Sequence, residues 1–504
     1  MQAIIQNLGA IKNNKQAIDL TKNFYVFVGD NNSGKTYVSQ LLWTIFNQDV
    51  IQKFSEQIEL EPDFEDKNEF EINEKLIDEI LQKYASFLKK ELANTYNIEN
   101  TPYQETVLSN FSIQFNYDIE RIKDADLQVI SHVKLGGNKQ AEFFVIKKEK
   151  KSLTFSFDNK DLNTFFDNIT TNQKEDIGKK RPKVKKIAFF SAIIQLLLNH
   201  KHNTLFLPAS RTFYPTFLQY ILSFEREQEE KNKKLFQEKV EEIIKEKKDI
   251  SNLELREILN SFSNTFKTPY SKPIDILFKK LYKLNISKEQ NYYNNLLEKL
   301  ITLMGGNVVL NSLEGISITD FIFRMNKVEK DLPMYMSSSS VNQLTLLYLY
   351  LKYWVEERAN FLMVDEPEEN LNPKNQIKLL EILLAFANQN DNKVLITTHS
   401  PILAEAVNNY TYLDVIKNKF GIKADEFIEN NGLNFLNPEI SISSEKLGVY
   451  FFDGKRIIDY KSPDYGAYFR DFKDVSDAVE GNGRLLTDFI YLKEQENNGK
   501  DLSN

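Results

Sequence analysis

A glycine-rich segment near the start of the chain has the residue types and spacing of a phosphate-binding loop. Its residues are Gly29-Asp30-Asn31-Asn32-Ser33-Gly34-Lys35-Thr36. Glycines let the backbone fold around phosphates with its N–H groups pointing inward, and a following helix adds its positive N-terminal end. We expect Lys35 to reach the β- and γ-phosphates and Thr36 to bind Mg²⁺. The segment therefore predicts a site for ATP and Mg²⁺.

Two adjacent acids end an apolar segment in the last third of the chain. Asp365 and Glu366 follow the apolar residues 361–364, and Pro367 then ends the segment. We interpret the segment as a strand buried beside the strand of the phosphate loop. Asp365 is then placed to hold Mg²⁺ through water, and Glu366 to polarise an attacking water as a general base. Solvated acids on a surface strand are the alternative, which four consecutive apolar residues disfavour.

Four further residues could contact the nucleotide. His399 follows the apolar residues 394–397 and could reach a γ-phosphate, although a histidine there can also only cap or pack. Ser338 and Ser339 precede a strongly apolar helical segment and could form an anion site at its start, unless they belong to a flexible linker. Arg211 could lie at the nucleotide edge, with a structural salt bridge as the open alternative.

The surrounding periodicity predicts the elements that position these residues. Residues 24–28 form an apolar strand that enters the phosphate loop, and residues 37–46 have helical spacing. Alternating residues at 111–115 and 153–157 predict a small antiparallel sheet. Residues 225–249 are dense in Glu and Lys and predict a compact helical hairpin or bundle, because their apolar repeat is too short for a long coiled coil.

These elements divide the chain into five segments. We expect an N-terminal part of the head with the phosphate loop, a helical plus β insertion, a strand returning to the head, an arm-like helical insertion, and a C-terminal part of the head. Their boundaries are 1–50, 51–187, 188–216, 217–303 and 304–504. Residues 179–186 are strongly basic, and we interpret them as a solvated loop in preference to a contact with a nucleic-acid backbone.

Composition excludes several classes of protein. A chain of 504 residues is too long for one compact core. The absence of cysteine excludes disulfides and thiolate metal sites. The net charge of −8, from 64 basic and 72 acidic side chains, gives no overall basic field, although a local patch could still bind DNA. No signal-like leader and no apolar run near the ~20 residues of a membrane span are present. We expect a cytoplasmic protein with no membrane partner.

In their order along the chain, the phosphate loop, serine segment, acid pair and histidine resemble the head of ABC-type ATPases of the SMC, Rad50, RecF and OLD branch. The resemblance is greatest to stand-alone bacterial AAA ATPases, including the ATPase subunits of phage-defence systems such as Septu and PARIS. The phrases that carry it are Leu207-Pro208-Ala209-Ser210-Arg211, Ser338-Ser339-Ser340-Val341, Asp365-Glu366-Pro367-Glu368-Glu369-Asn370-Leu371-Asn372-Pro373 and Ile396-Thr397-Thr398-His399-Ser400. It implies an α/β head, with a mixed sheet flanked by helices and with helical and small antiparallel β insertions.

The resemblance also implies how such a protein works. ATP would join two heads into a homodimer, with the Ser338–Ser339 region of one copy closing over the γ-phosphate held by the other, and a higher oligomer stays open. The implied role is a sensor or scaffold of anti-phage defence that hydrolyses ATP and controls a separately encoded nuclease or toxin as effector. The rate of hydrolysis, which could be slow, and a phage-derived trigger stay open. The alternative is a RecF- or Rad50-like DNA-repair or chromosome-maintenance ATPase that binds DNA. A membrane-transporter ATPase fits poorly.

The C-terminal tail raises the question of a built-in nuclease. OLD-type enzymes carry a Toprim nuclease, which needs several carboxylates to hold Mg²⁺. Glu480 and Asp453 imitate parts of that motif, but no Asp-x-Asp follows Glu480. We therefore expect no intrinsic nuclease.

Overall fold

The computed structural model describes most of the chain: residues 1–60, 69–125, 127–135, 139–148, 154–158, 174–199, 202–216, 270–284, 288–313, 317–326 and 331–461, with scattered positions at 223–238 and 466–490. Its strands are β1 Gln2–Gln6, β2 Ala17–Asp19, β3 Phe24–Gly29, β4 Glu69–Glu71, β5 Ser112–Asn116, β6 Leu127–Leu135, β7 Lys139–Lys148, β8 Thr154–Asp158, β9 Asn203–Leu207, β10 Gly306–Leu313, β11 Ser317–Met325, β12 Asp331–Pro333, β13 Asn360–Asp365, β14 Lys393–Thr397, β15 Leu447–Phe452 and β16 Ile457–Asp459.

The helices lie between these strands. They are α1 Lys35–Phe46, α2 Gln48–Gln57, α3 Glu74–Thr95, α4 Pro102–Leu108, α5 Ile119–Asp124, α6 Lys174–Leu197, α7 Phe213–Thr216, α8 Lys272–Tyr282, α9 Asn294–Met304, α10 Ser339–Leu349, α11 Pro373–Ala387, α12 Pro401–Asn418 and α13 Ala424–Asn430. Single 3₁₀ turns occupy Ala209–Thr212 and Met334–Met336, and a π turn at Tyr350–Trp354 extends α10. Within the described residues, no helix is both long enough and apolar enough to cross a bilayer.

A six-stranded mixed sheet forms the centre of the molecule. Its order is β16-β15-β3-β14-β13-β9; β16 is antiparallel to β15 and all other neighbours are parallel. The central strands β3, β14 and β13 are buried at every position, and their residues are mostly apolar because both faces of the sheet are covered. Phe24, Val26 and Val28 belong to one core, while Tyr25 and Phe27 belong to the core on the opposite face. The predicted α/β head, a mixed sheet flanked by helices, is confirmed.

The strand order corrects one expectation. The acid-pair strand β13 was predicted to lie beside the phosphate-loop strand β3, and this was wrong because β14 lies between them. β14 pairs in parallel with both neighbours, and its residue Thr397 lies opposite Phe27 on one side and Asp365 on the other. The consequence is that the segment after β14, which carries His399, starts between the phosphate loop and the acid pair.

A separate four-stranded sheet lies outside the central one. It has the order β4-β8-β7-β6 and is antiparallel throughout, in agreement with the alternation at 153–157. The other alternating segment, 111–115, was wrongly assigned to this sheet. Its strand β5 pairs instead with β1, in a sheet of order β2-β1-β5. The physical reason is that Ile113 lies opposite Ile5 in this register, and both side chains are buried in the same core.

The basic residues 179–186 lie within α6, so the interpretation of a loop was wrong. The second half of this helix buries Phe189, Phe190 and Ile194, and that apolar face explains why a helix forms here. Lys185 is itself buried at 5% exposure. The dense Glu and Lys segment 225–249 lies outside the described residues apart from scattered positions, and the division into five segments stays a prediction.

Gly29, the last residue of β3, is fixed by its neighbour. Its φ of 138° lies in a region that disfavours side chains, and a Cβ there would lie 2.3 Å from the carbonyl oxygen of Phe452 in β15. Gly29→Ala should therefore lower the free energy of unfolding by about 2 kcal/mol or more, measured by urea denaturation. Gly481→Ala is the control, because a Cβ at Gly481 meets nothing within 4 Å. Equal stability of the two variants would contradict the close packing of β3 on β15.

Candidate active site

The phosphate loop, the acid pair and His399 meet at one edge of the central sheet. β3, β14 and β13 run in parallel, so the segments that follow them leave at the same edge. In open α/β sheets, ligands bind outside the carboxyl ends of the strands. Here that edge carries the phosphate loop after β3, His399 after β14, and Asp365 with Glu366 at the end of β13.

The phosphate loop is held in shape by its own backbone and by Lys35. Asn32 and Gly34 have positive φ values of 59° and 103°, and Gly34 immediately precedes α1. The Lys35 ammonium is 6% exposed and donates hydrogen bonds to the carbonyl oxygens of Gly29 at 2.9 Å and Asp30 at 2.7 Å. Burial lowers the pKa of Lys35, and the nearby carboxylates of Glu366 and Asp365 oppose that shift. Its ammonium group lies inside the loop, where it would neutralise negative charge on bound phosphates.

Asp365 connects its own strand β13 with β14 and with the start of α1 through hydroxyl groups. Its Oδ2 accepts a hydrogen bond from the Thr36 hydroxyl at 3.1 Å, and its Oδ1 accepts one from the Thr397 hydroxyl at 2.5 Å. The carboxyl is 7% exposed. Burial raises its pKa, and the two hydroxyl hydrogen bonds partly oppose that rise.

Glu366 has a strained backbone and a side chain facing His399. Its φ of 47° is a left-handed conformation that non-glycine residues adopt mainly in turns and at functional sites. Its N–H donates to the carbonyl and hydroxyl oxygens of Thr397, at 3.0 and 3.1 Å. Glu366 Oε1 lies 3.6 Å from His399 Nε2, and both side chains are 35% exposed. The pair is therefore open to solvent at the mouth of the sheet.

The donor groups at this edge fit a magnesium nucleotide. A glycine-lined loop at the start of the 12-residue helix α1 supplies N–H groups for phosphate, and a Cβ on Gly34 would lie 3.2 Å from the Ile11 side chain. The Thr36 hydroxyl and the Asp365 carboxylate, already in contact, are hard oxygen ligands of the kind Mg²⁺ prefers. Mg²⁺, when bound, would neutralise charge on the phosphates; Thr36 and Asp365 would hold it.

The serine segment lies at the start of α10. Ser338 caps this helix, accepting a hydrogen bond from the N–H of Val341 at 3.3 Å, and its hydroxyl lies 2.8 Å from that of Ser340. Ser338 and Ser339 are exposed. A capped, exposed helix start agrees with an anion site and argues against the flexible-linker alternative. Contact with phosphate remains a prediction.

A comparison with models of protein families identifies the family of this chain. Residues 1–404 match the family model described as an AAA ATPase domain. The chain belongs to this family. The match includes the phosphate loop, the acid pair and His399. It supports nucleotide binding by the ATPase at the edge just described.

Other comparisons add little detail. No curated protein matches the ATPase. Among solved structures, it is similar to the Smc head domain from Pyrococcus furiosus, bound to the C-terminal domain of ScpA, with 12% identity, a TM-score of 0.32 and coverage of 95% of this chain and 98% of that one. The SMC head domain from Thermotoga maritima matches at 9% identity and a TM-score of 0.28, over 92% of this chain and 98% of that one. These scores are too low to transfer properties.

Arg211 lies buried beneath the acid pair. Its guanidinium is 2% exposed and donates to the carbonyl oxygens of Pro208 at 3.2 Å, Asp365 at 2.5 Å and Glu366 at 3.0 Å. Burial lowers the pKa of Arg211 to about 10, and the surrounding acids oppose the shift. Arg211 therefore supports the backbone of the acid pair. Its contact with nucleotide stays a prediction.

Thr397 and Gln343 also hold the acid pair and Arg211 in place, and the sequence analysis did not identify them. Thr397 is the hydroxyl partner of Asp365 and also receives the N–H of Glu366. A hydroxyl at the end of an apolar strand is a signal that could have identified it. Gln343 on α10 is fully buried, and its amide, oriented with the oxygen toward the guanidinium, accepts from Arg211. Sequence gives no signal for that contact, since 132 residues separate the two positions.

The two carboxylates that imitate a nuclease motif have local roles. Asp453 accepts hydrogen bonds from the N–H groups of Lys455 and Arg456 in the turn after β15, which hold its pKa below the ordinary value despite some burial. Glu480 pairs with Arg484 one helical turn away. No metal-ligating cluster is present within the described residues. The expected lack of nuclease activity stays a prediction.

Replacing Asp365 should stabilise the protein in the absence of nucleotide. Its folded-state pKa lies above the unfolded value, so the ionised carboxylate costs stability above the folded pKa, and that cost vanishes as the pH falls below the unfolded value near 3.8. The amide that Asp365→Asn introduces offers an oxygen and an NH₂ group as hydrogen-bond partners for the hydroxyls of Thr36 and Thr397. We expect its Tm to exceed that of the wild type by a few degrees at pH 7, with the difference shrinking toward pH 4.

Asp474→Asn provides the control, because Asp474 is exposed. Differential scanning calorimetry at several pH values measures all three proteins. A lower Tm for Asp365→Asn at pH 7, or a difference that does not change with pH, would show that burial of this carboxylate is not the dominant cost.

Proposed function

We propose that this ATPase binds MgATP at the edge of the central sheet, dimerises head to head with two nucleotides, and hydrolyses ATP. The observation that carries the proposal is the convergence of Lys35, Thr36, Asp365, Glu366 and His399 at the ends of three adjacent parallel strands. Each side chain has chemistry that phosphoryl transfer to water needs. Such reactions depend mainly on positioning and charge stabilisation, which a set of groups fixed on strand ends can provide.

The residues divide this work. The Lys35 ammonium and the N–H groups of the loop bind and orient the phosphates. Glu366, exposed at the mouth of the sheet, accepts a proton from the attacking water. His399, with its Nε2 3.6 Å from the Glu366 carboxylate, can hold that carboxylate in place or donate a hydrogen bond to the terminal phosphate. Arg211 keeps the backbone of the acid pair in position from beneath.

A second copy would complete the site. Ser338 and Ser339 form an exposed, capped helix start, which suits an anion presented from another molecule. Resemblance to the SMC, Rad50, RecF and OLD branch supports the head-to-head arrangement. In this proposal ATP joins the two heads, and hydrolysis releases them.

In this proposal a separate partner protein carries out the effect that ATP binding and hydrolysis control. Since we expect no nuclease in the chain itself, we propose a sensor or scaffold of an anti-phage defence system that controls a separately encoded nuclease or toxin. The support is the resemblance to stand-alone phage-defence ATPases in the phrases around Arg211, Ser338, Asp365 and His399.

A DNA-binding function of the RecF or Rad50 type is the second candidate. The basic segment within α6 is the observation that favours it, whereas the acidic net charge of −8 opposes it. DNA binding through this helix should weaken steeply with salt and disappear when its basic side chains are neutralised. The positions to change are Lys179, Lys180, Lys183 and Lys186, with the buried Lys185 left intact.

Substitutions in the proposed machinery should separate binding from hydrolysis. Lys35→Ala should abolish ATP binding, because the phosphates lose their main cation. Glu366→Gln should bind ATP normally and hydrolyse it about 10²–10⁴-fold more slowly, because the general base is lost. It should also accumulate as an ATP-bound dimer. Calorimetry, phosphate release and light scattering after gel filtration measure these quantities.

The exposed pair Lys423 and Glu426 offers matched controls. Lys423→Ala and Glu426→Gln should behave as the wild type in all three assays. Normal turnover by Glu366→Gln would refute the assignment of the base, and a monomer with ATP bound would refute the composite site.

A phage challenge tests the biological role. Expressed with its neighbouring genes in a susceptible host, the wild-type protein should lower the plating efficiency of at least one phage in a panel. Lys35→Ala should remove this protection, since the cycle needs ATP. Equal protection by Lys35→Ala would separate defence from ATP, and a panel unaffected by the wild type would count against a defence role.

A further inference from the structure

Glu368 connects the acid-pair turn to the segment that carries His399. It lies two residues after Glu366, and its side chain crosses to the residues that follow β14. Its Oε1 accepts three hydrogen bonds: from the Thr398 hydroxyl at 2.6 Å, the His399 N–H at 2.9 Å and the Ser400 N–H at 3.2 Å. The donors are consecutive residues centred on the histidine.

The same segment is fixed on its other sides. The Thr398 N–H donates to the carbonyl oxygen of Phe27 in β3 at 3.0 Å. Ser400 caps α12 by accepting from the N–H of Leu403 at 3.2 Å, and its hydroxyl donates to Gln376 Oε1 on α11 at 2.7 Å. The backbone of His399 is therefore held from β3, from α11 and α12, and, through Glu368, from the turn that carries Glu366.

The way Glu368 is bound is costly for a residue that only stabilises the fold. The hydrogen bonds of its side chain that the structure describes all use Oε1, whereas Oε2 is buried and has no hydrogen-bond partner within the described part of the chain. Burying a carboxylate oxygen without a partner costs free energy, and a native group of this kind calls for an explanation. Three donors converging on one oxygen orient the segment from Thr398 to Ser400 more tightly than one hydrogen bond could.

We propose that Glu368 is a positioning residue that sets His399 relative to Glu366. The proposal rests on the hydrolytic function proposed above. Glu366 and Glu368 belong to one short turn, so a shift of the acid pair on nucleotide binding is passed through the Glu368 carboxylate to the backbone of His399.

A double-mutant cycle tests this coupling. Glu368→Ala should lower kcat about 10- to 100-fold, because misplacing a reacting group by about 1 Å has an effect of that size, while the Kd for MgATP changes little. In a His399→Ala background, Glu368→Ala should cause almost no further loss, since it acts through the histidine. Equal losses in both backgrounds, or wild-type kcat for Glu368→Ala, would overturn the proposal.

Two further variants test whether the hydrogen bonds of the Glu368 side chain cause the effect. Glu368→Gln retains an oxygen that can accept the three hydrogen bonds and should recover most of the kcat lost in Glu368→Ala. Thr398→Val removes the hydroxyl that donates to Glu368 and that accepts from the Ser400 N–H at 2.9 Å, while the two N–H donors to Glu368 remain. It should give a smaller loss in the same direction, which remains measurable if Glu368→Ala fails to fold. Glu405→Ala, an exposed glutamate on α12, is the control and should match the wild type. A Glu368→Gln variant as slow as Glu368→Ala would contradict positioning through these hydrogen bonds.

A readout without hydrolysis separates this inference from the proposed function. The chain has four histidines, so the His399 ring signal in NMR spectra of histidine-labelled protein can be assigned with His399→Ala. Glu368→Ala should shift or broaden that signal in the nucleotide-free protein, and Glu405→Ala should not. An unchanged His399 signal overturns the inference. If the wild type hydrolyses no ATP while Glu368→Ala still shifts the His399 signal, the proposed function is refuted and the coupling stands.

Discussion

The buried carboxylate of Asp365 is the constraint on which the rest of the site depends. It accepts hydrogen bonds from hydroxyls on both sides, Thr36 at the start of α1 and Thr397 at the end of β14. An unpaired carboxylate at this depth would be costly, so these contacts require the three elements to meet at a fixed distance. β14 between β3 and β13 satisfies that requirement, because it places Thr397 directly opposite Asp365. The phosphate loop and the acid pair are aligned as a result.

A second layer beneath the acid pair keeps its strained turn in place. Glu366 has a left-handed backbone, and such a conformation persists only where neighbours determine it. Arg211 supplies that support by donating to the carbonyl oxygens of Asp365 and Glu366. The Arg211 cation and the nearby acids compensate one another, since the acids oppose the drop in its pKa caused by burial.

Features that depend on residues close together in the chain could be predicted from the sequence. The strand before Gly29, the helix after Thr36 and the acids at the end of β13 follow from apolar runs and from turn chemistry within a few positions. Features set by distant packing were not predictable. The place of β14 depends on pairing with two other strands, and the inward direction of Arg211 on carbonyl groups 154 and 155 residues away. Residues 179–186 were misread because the apolar face that makes α6 a helix lies C-terminal to the basic segment.

Binding of Mg²⁺ at Asp365 is the central claim, and calorimetric titration of ATP with Mg²⁺ or with EDTA tests it most directly. The wild type should bind ATP more tightly with Mg²⁺, because in the proposed site Thr36 and Asp365 would supply oxygen ligands for the metal. Asp365→Asn should still bind ATP through the loop and Lys35, with little difference between Mg²⁺ and EDTA. An Asp365→Asn variant that keeps the full Mg²⁺ dependence, or a wild type that binds no ATP, would contradict the account.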